Sequence, residues 1–403
     1  MRHFAAVLLS SRSRVRVAAG ALSKAKRRRP GRLRRFVRPR LARRDPRPAW
    51  WSSTPYPTDT TVPLTASLRA PRRTSRCLVA VLAVAGCSAP PPVAEVAFTI
   101  PEPLLIPEGI AYDPVDGAFY VGSTNLRKIV RIGADGSIGD FAADGGLWGV
   151  VGLTVDPERR VLWAASSHAG AGMPFEGMDP SEEGRAGIFA YDLSSGALLG
   201  TYLLDATNGG HFLNDVAVTG DGSLYATDSG GRAIYRIAAG RDSLELFLAP
   251  PDLPWPNGIT WSEEAGVLFV ALDGRIGRVA PGDPTVEYVE LPAGVEAHAD
   301  GLYYRDGSLI TVWPFEGMTG VTRYRLDDAH RRVTAVERIL PAHPSFVQPT
   351  TGAVAGDALY VVANSQLQLF RAIRAGEIPG GPEQLVEPVI LRVDLGGSGG
   401  GTP

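Results

Sequence analysis

The sequence predicts an all-β domain, a six-bladed β-propeller of four-stranded antiparallel blades whose N-terminal strand closes the last blade. Three observations lead there. A unit repeats six times, apolar and polar residues alternate within each unit, and the last unit lacks its outer strand. Repeats of this length made of short strands and turns are the mark of propeller blades.

Each unit opens on a two-residue anchor. The first is Glu108-Gly109, followed by Val151-Gly152, Asn214-Asp215, Asn257-Gly258, Asp300-Gly301 and Thr351-Gly352. Successive anchors stand 43 residues apart from Glu108 to Val151, from Asn214 to Asn257 and from Asn257 to Asp300. The other two intervals are longer, which insertions explain. After each anchor strand comes a reversal rich in Asp, Gly and Pro, such as Asp113-Pro114-Val115-Asp116-Gly117 or Asp221-Gly222. An apolar second strand follows, for example Phe119-Tyr120-Val121 or Val267-Leu268-Phe269-Val270. The third alternates apolar and basic residues, as in Ile234-Tyr235-Arg236-Ile237. A fourth, outermost strand ends most units, such as Leu244-Glu245-Leu246-Phe247-Leu248. The last unit stops at its third strand, Val389 to Val393, while Val93 to Ile100 is a spare strand ahead of the first anchor. The spare strand therefore completes the last blade. An open solenoid is the alternative, but it needs polar caps that the sequence does not supply.

The remaining chain is not propeller-like. The 403 residues carry a formal net charge of −1, yet residues 11–49 are crowded with arginine. That balance gives no reason to expect nucleic acid as a partner. Residues 1–70 are read as a basic disordered extension, with translation starting near 62–70 as the simplest account. Residues 71–87 form a lipoprotein signal: a basic Arg72-Arg73-Thr74-Ser75-Arg76, a short apolar core from Cys77, and a lipobox-like Val84-Ala85-Gly86-Cys87. The expected product is an exported bacterial lipoprotein, periplasmic or outer-membrane anchored, held to the membrane by lipid on Cys87. A Pro-rich tether (88–92), the propeller (93–395) and a Gly-rich tail (396–403) complete the division. Cys77 and Cys87 are the only cysteines, so the mature domain has no disulfide, zinc–thiolate site or thiol nucleophile.

In a propeller the first strands converge on the axis, which makes the anchors a ring. Glu108, Asn214, Asn257 and Asp300 then bring two carboxylates and two carboxamides to one place. Oxygen ligands of that kind suit calcium, magnesium or manganese. A cation also relieves the repulsion between two neighbouring carboxylates.

The anchors with their following residues, notably Glu108-Gly109, Asn257-Gly258-Ile259-Thr260-Trp261-Ser262 and Asp300-Gly301, resemble the gluconolactonase and regucalcin family. Asn214-Asp215-Val216-Ala217-Val218, with Tyr225-Ala226-Thr227-Asp228 behind it, is similar to paraoxonase and strictosidine-synthase-like propellers. The resemblance spans roughly residues 93–395. It implies that Glu108, Asn257 and Asp300 bind a divalent metal, and that Asn214 binds it or contacts the substrate. Calcium is the first expectation, with magnesium, manganese or zinc as alternatives. It also implies hydrolysis of a lactone or related ester by metal-activated water, with Asp300 as general base. His211 and His298, close before two anchors, are the other candidates for proton transfer. One departure stands out. Phe212 occupies the place where regucalcin-like enzymes carry a substrate-binding arginine, which points to a more apolar substrate. The alternative function is a non-enzymatic propeller lipoprotein that binds a ligand or partner and uses calcium structurally.

Overall fold

Strands that alternate inward and outward residues pair into sheets, and here they pair into six four-stranded antiparallel sheets among the described residues. The computed structural model describes residues 93–143, 146–206, 210–315 and 319–396. The expected signal peptide, Cys87 and the tether lie outside the described residues, as does the tail from 397. The innermost strands are Pro107–Asp113, Gly149–Asp156, Leu213–Val218, Pro256–Ser262, Gly301–Arg305 and Gly352–Ala355. Apolar side chains seal each blade to the next. Ala217, Tyr225 and Ile234 of the third blade, for instance, pack with Ile259, Leu268 and Val270 of the fourth.

Ring closure follows the sequence expectation. Ala94–Thr99 is the outer strand of the sixth sheet and pairs antiparallel with Val389–Asp394, Ala94 opposite Val393 and Thr99 opposite Val389. Phe98 then reaches into the seam between the last and first blades, its ring 5.5 Å from Phe119 and 6.2 Å from Tyr360.

The anchors interrupt the ladder. In the first four blades the pairing register slips between Pro107 and Ile110, Val150 and Leu153, Leu213 and Val216, and Pro256 and Ile259. Each slip spans the two anchor residues. A bulge of this kind re-aims side chains out of the regular pleat. In the last two blades the strand begins one residue after the anchor, so Asp300 and Thr351 precede it.

Glycine after an anchor has a steric reason. A Cβ at Gly109 would lie 2.3 Å from Val151 O, one at Gly152 2.4 Å from Asn214 O, and one at Gly258 2.7 Å from Asp300 O. Each glycine thus lets one anchor touch the backbone of the next around the hub. Thr350 Oγ1 donates to Glu108 O at 3.0 Å, and Thr351 Oγ1 bonds the same carbonyl, which closes the circle. Gly109→Ala is expected to cost about 3 kcal/mol, because a backbone carbonyl on the far side cannot yield. Chemical denaturation of that variant beside an exposed-glycine control, Gly282→Ala, checks this; equal stability of the two would refute the steric reading.

Candidate functional site

All four expected ligand residues sit on the hub, at the starts of the inner strands. Asn257 Nδ2 donates to Asp300 Oδ1 at 3.0 Å, joining the fourth and fifth blades. That bond fixes the amide, since its oxygen would be repelled by the carboxylate. Asn257 Oδ1 is consequently turned elsewhere and is buried without a hydrogen-bond partner among the described residues. Glu108 Oε2 is in the same condition. Asn214 is buried and donates from Nδ2 to Ser229 Oγ at 3.0 Å; that hydroxyl donates on to Pro256 O at 2.6 Å. In both asparagines the nitrogen is occupied by protein.

The electrostatics agree with a hub short of positive charge. Burial pushes the Glu108 carboxyl well above its usual range, and the charges of Asp300 and Asp215 push it further. Burial raises Asp300 to about 6 despite the hydrogen bond from Asn257. Asp215 is raised by burial to about 7, although the backbone amides of Ile259 and Val216 donate to it. Among the described residues no three His, Cys, Asp or Glu side chains converge as a metal-ligand group. The axial set contains only two carboxylates, its other donors being amides.

Asp215 and Tyr303 were not singled out by the sequence reading. Five anchors are followed by glycine and only Asn214 by a residue with a side chain, so a signal for Asp215 was present in the repeat itself. Its carboxylate spans from the third blade to the fourth, accepting Ile259 N at 3.0 Å. Tyr303 bonds Gly352 N through its hydroxyl, and burial holds its phenol protonated. Both face an axial channel of about 300 Å³. Its lining takes in Gly109, Asp215 and Gly352, each one residue past its anchor, and the anchor Thr351 itself, so the channel reaches the level of the anchors.

The histidines divide by environment. His211 Nδ1 lies 2.6 Å from Asp228 Oδ2, and Asp228 is fully buried. His298 Nε2 is 3.0 Å from the exposed Glu296, and its ring stacks on Trp313 at 5.0 Å. His168 is completely buried, with Nε2 2.8 Å from Asp179 O and Nδ1 accepting Gly170 N at 3.3 Å. It staples its own insertion together and is no part of the hub.

Two insertions join second to third strands, one in the second blade and one in the sixth. By strand direction they leave the face on which the anchors begin. Residues 168–185 run between Val161–Ser167 and Ala186–Asp192, and residues 364–387 contain a helix, Leu367–Ala375. The helix buries Phe370 against Ile106 and Leu385 and touches the short turn Gly170–Gly172 of the other insertion. Glu176 N donates to Asn125 O at 2.9 Å, tying that insertion to the first blade. The two insertions therefore meet each other above the first blade.

No family model matches the sequence, and no curated protein is similar to it. Solved structures are similar in fold. A gluconolactonase from Xanthomonas campestris is 16% identical with a TM-score of 0.44, over 73% of this chain and 86% of that one. A calcium-binding protein, regucalcin, from Agrobacterium tumefaciens is 20% identical with a TM-score of 0.48, over 74% and 93%. Virginiamycin B lyase from Staphylococcus aureus is 14% identical with a TM-score of 0.49, over 75% and 99%. Likeness at this level reaches the fold and stops there; activity has to be argued from the hub.

Proposed function

We propose that the chain is a divalent-metal-dependent hydrolase that opens a lactone or a related ester at the propeller hub. The observation carrying this reading is the pair of orphaned buried oxygens, Glu108 Oε2 and Asn257 Oδ1, with the Asp300 carboxylate hydrogen-bonded to Asn257. Buried acceptors without partners are costly, and a hard cation is the partner that satisfies several at once. The donors fit calcium first. Glu108 and Asp300 would supply charge, Asn257 and Asn214 neutral oxygens. Such an ion, when bound, supplies Lewis acidity: it polarises a carbonyl and acidifies water. The chain adds the rest. Asp300 or His211 would handle the proton, and the buried Phe212 suits an apolar acyl or alkyl group.

A panel of lactones and aryl esters, assayed with calcium and with a chelator, tests the proposal. Turnover is expected only with calcium. Asp300→Ala is expected to lower it on the order of 1,000-fold, matching several kcal/mol of lost charge stabilisation. An intact, calcium-loaded protein that hydrolyses nothing in the panel would sink the idea. The second reading, a structural cation without turnover, is favoured by the four donors coming from blades one, three, four and five. Its signature is a fold that melts in chelator and never turns over substrate. We also propose export and lipid anchoring through Cys87. The mass of the native N-terminus decides that, because an unmodified Cys87 excludes it.

A further inference from the structure

We propose that His211 is the catalytic base of the hub and that Asp228 is its positioning residue, an inference that rests on the hydrolase reading above. Asp228 ends the second strand of the third blade and is fully buried. Its Oδ1 accepts Phe212 N and Gly231 N, each at 2.8 Å, and its Oδ2 faces His211 Nδ1 at 2.6 Å. A carboxylate fixed by two backbone amides can only accept from the ring. Nδ1 of His211 is therefore the protonated nitrogen, and Nε2 carries a free lone pair. No hydrogen-bond partner of Nε2 occurs among the described residues, and the atom is not sealed from solvent.

The same hairpin holds the ligand residue. Leu213 pairs with Asp228 across it. One step on, Ser229 accepts from Asn214 as Asp228 accepts from His211. The base and the expected ligand Asn214 are thus set by two neighbouring side chains of one strand end. Tyr235 meets the imidazole edge-on at 5.8 Å and restricts its rotation. The rivals are engaged by other groups. His298 has its Nε2 on Glu296 and its face on Trp313, while Asp300 is committed to Asn257.

In the reaction, His211 Nε2 takes a proton from the attacking water as the water oxygen bonds to the ester carbon. When the carbon–oxygen ester bond breaks, the departing alkoxide takes that proton from the imidazolium. The products are the acid and the alcohol, joined in one hydroxy acid when the substrate is a lactone. No oxidant or further reactant is needed.

The test uses the full calcium-loaded chain. His211→Gln and Asp228→Asn are each expected to lower kcat by about 100-fold or more, the usual share of a positioned base, with KM little changed. The double variant should fall no further than the worse single, because the two act as one unit. A merely structural role predicts additive losses and a raised KM. Nitrogen-15 NMR of the wild-type imidazole, assigned with His211→Gln, reads the tautomer independently of turnover and of whether Asp228→Asn folds. Protonated Nδ1 is expected; protonated Nε2 overturns the proposal. Wild-type turnover with undiminished kcat in His211→Gln overturns the base alone and leaves the hydrolase standing. An inactive wild type removes both.

Discussion

A chain lacking residues 93–100 is expected to lose cooperative folding. Three losses coincide in that deletion. Val389–Asp394 becomes an unpaired edge in place of an inner strand, because Ala94–Thr99 is its partner. Phe98 leaves its contacts with Phe119 and Tyr360, and Ile100, 1% exposed, leaves the seam between the last and first blades. The circle also opens, so every remaining seam loses the constraint of closure. Lost ladder bonds at about 1 kcal/mol each and two large apolar groups sum to on the order of 5–10 kcal/mol, as much as a whole domain's stability. Near-UV circular dichroism through a thermal ramp reads this directly. A sharp transition within a few degrees of the full chain would show that the closing strand is dispensable. The milder Phe98→Ala is expected to cost about 2 kcal/mol, since the ring is only half-buried.

In chelator, the protein is expected to lose stability as pH rises from about 4 to 8. The sign comes from three hub carboxyls. Glu108, Asp215 and Asp300 all hold protons in the fold to higher pH than they would unfolded. Below pH 4 both states are protonated and nothing differs. Above it the unfolded chain releases protons that the fold retains, so the fold binds more of them and stability falls with rising pH. The decline runs through about 6 for Asp300 and about 7 for Asp215. At about 1.4 kcal/mol per pKa unit the loss amounts to several kcal/mol. Calcium is expected to offset it, so the gap between melting points with calcium and with chelator should widen with pH. Glu108→Gln in chelator should flatten the decline. Calorimetry at pH 5, 6, 7 and 8 is sufficient. Melting points in chelator that hold level or climb with pH contradict the account of the hub.

Much of this arrangement was legible before any coordinates. Six anchors, the 43-residue spacing and a last unit missing its strand define a ring, because strand period and turn chemistry are local and survive in one dimension. The hub chemistry was legible only as residue types. Glu108, Asn214, Asn257 and Asp300 could be named from their places in the repeat, but nothing in the repeat says which of their atoms lack partners.

Tertiary structure made that second decision. The ladder slips at the anchors, Asn257 spends its nitrogen on Asp300, and Asn214 spends its own on Ser229. His211 was visible as a histidine near an anchor, whereas its bond to Asp228 depends on a hairpin register that brings residues 17 apart together. Asp215 and Tyr303 were passed over for a similar reason: their burial comes from strands of other blades. The sequence by itself determined the number of blades, the closing strand and the kinds of donor at the axis, all of which repeat along the chain. Only the folded ring decided which oxygens were left unsatisfied and which histidine was anchored, since hydrogen bonding is settled among neighbours in space and not by order in the chain.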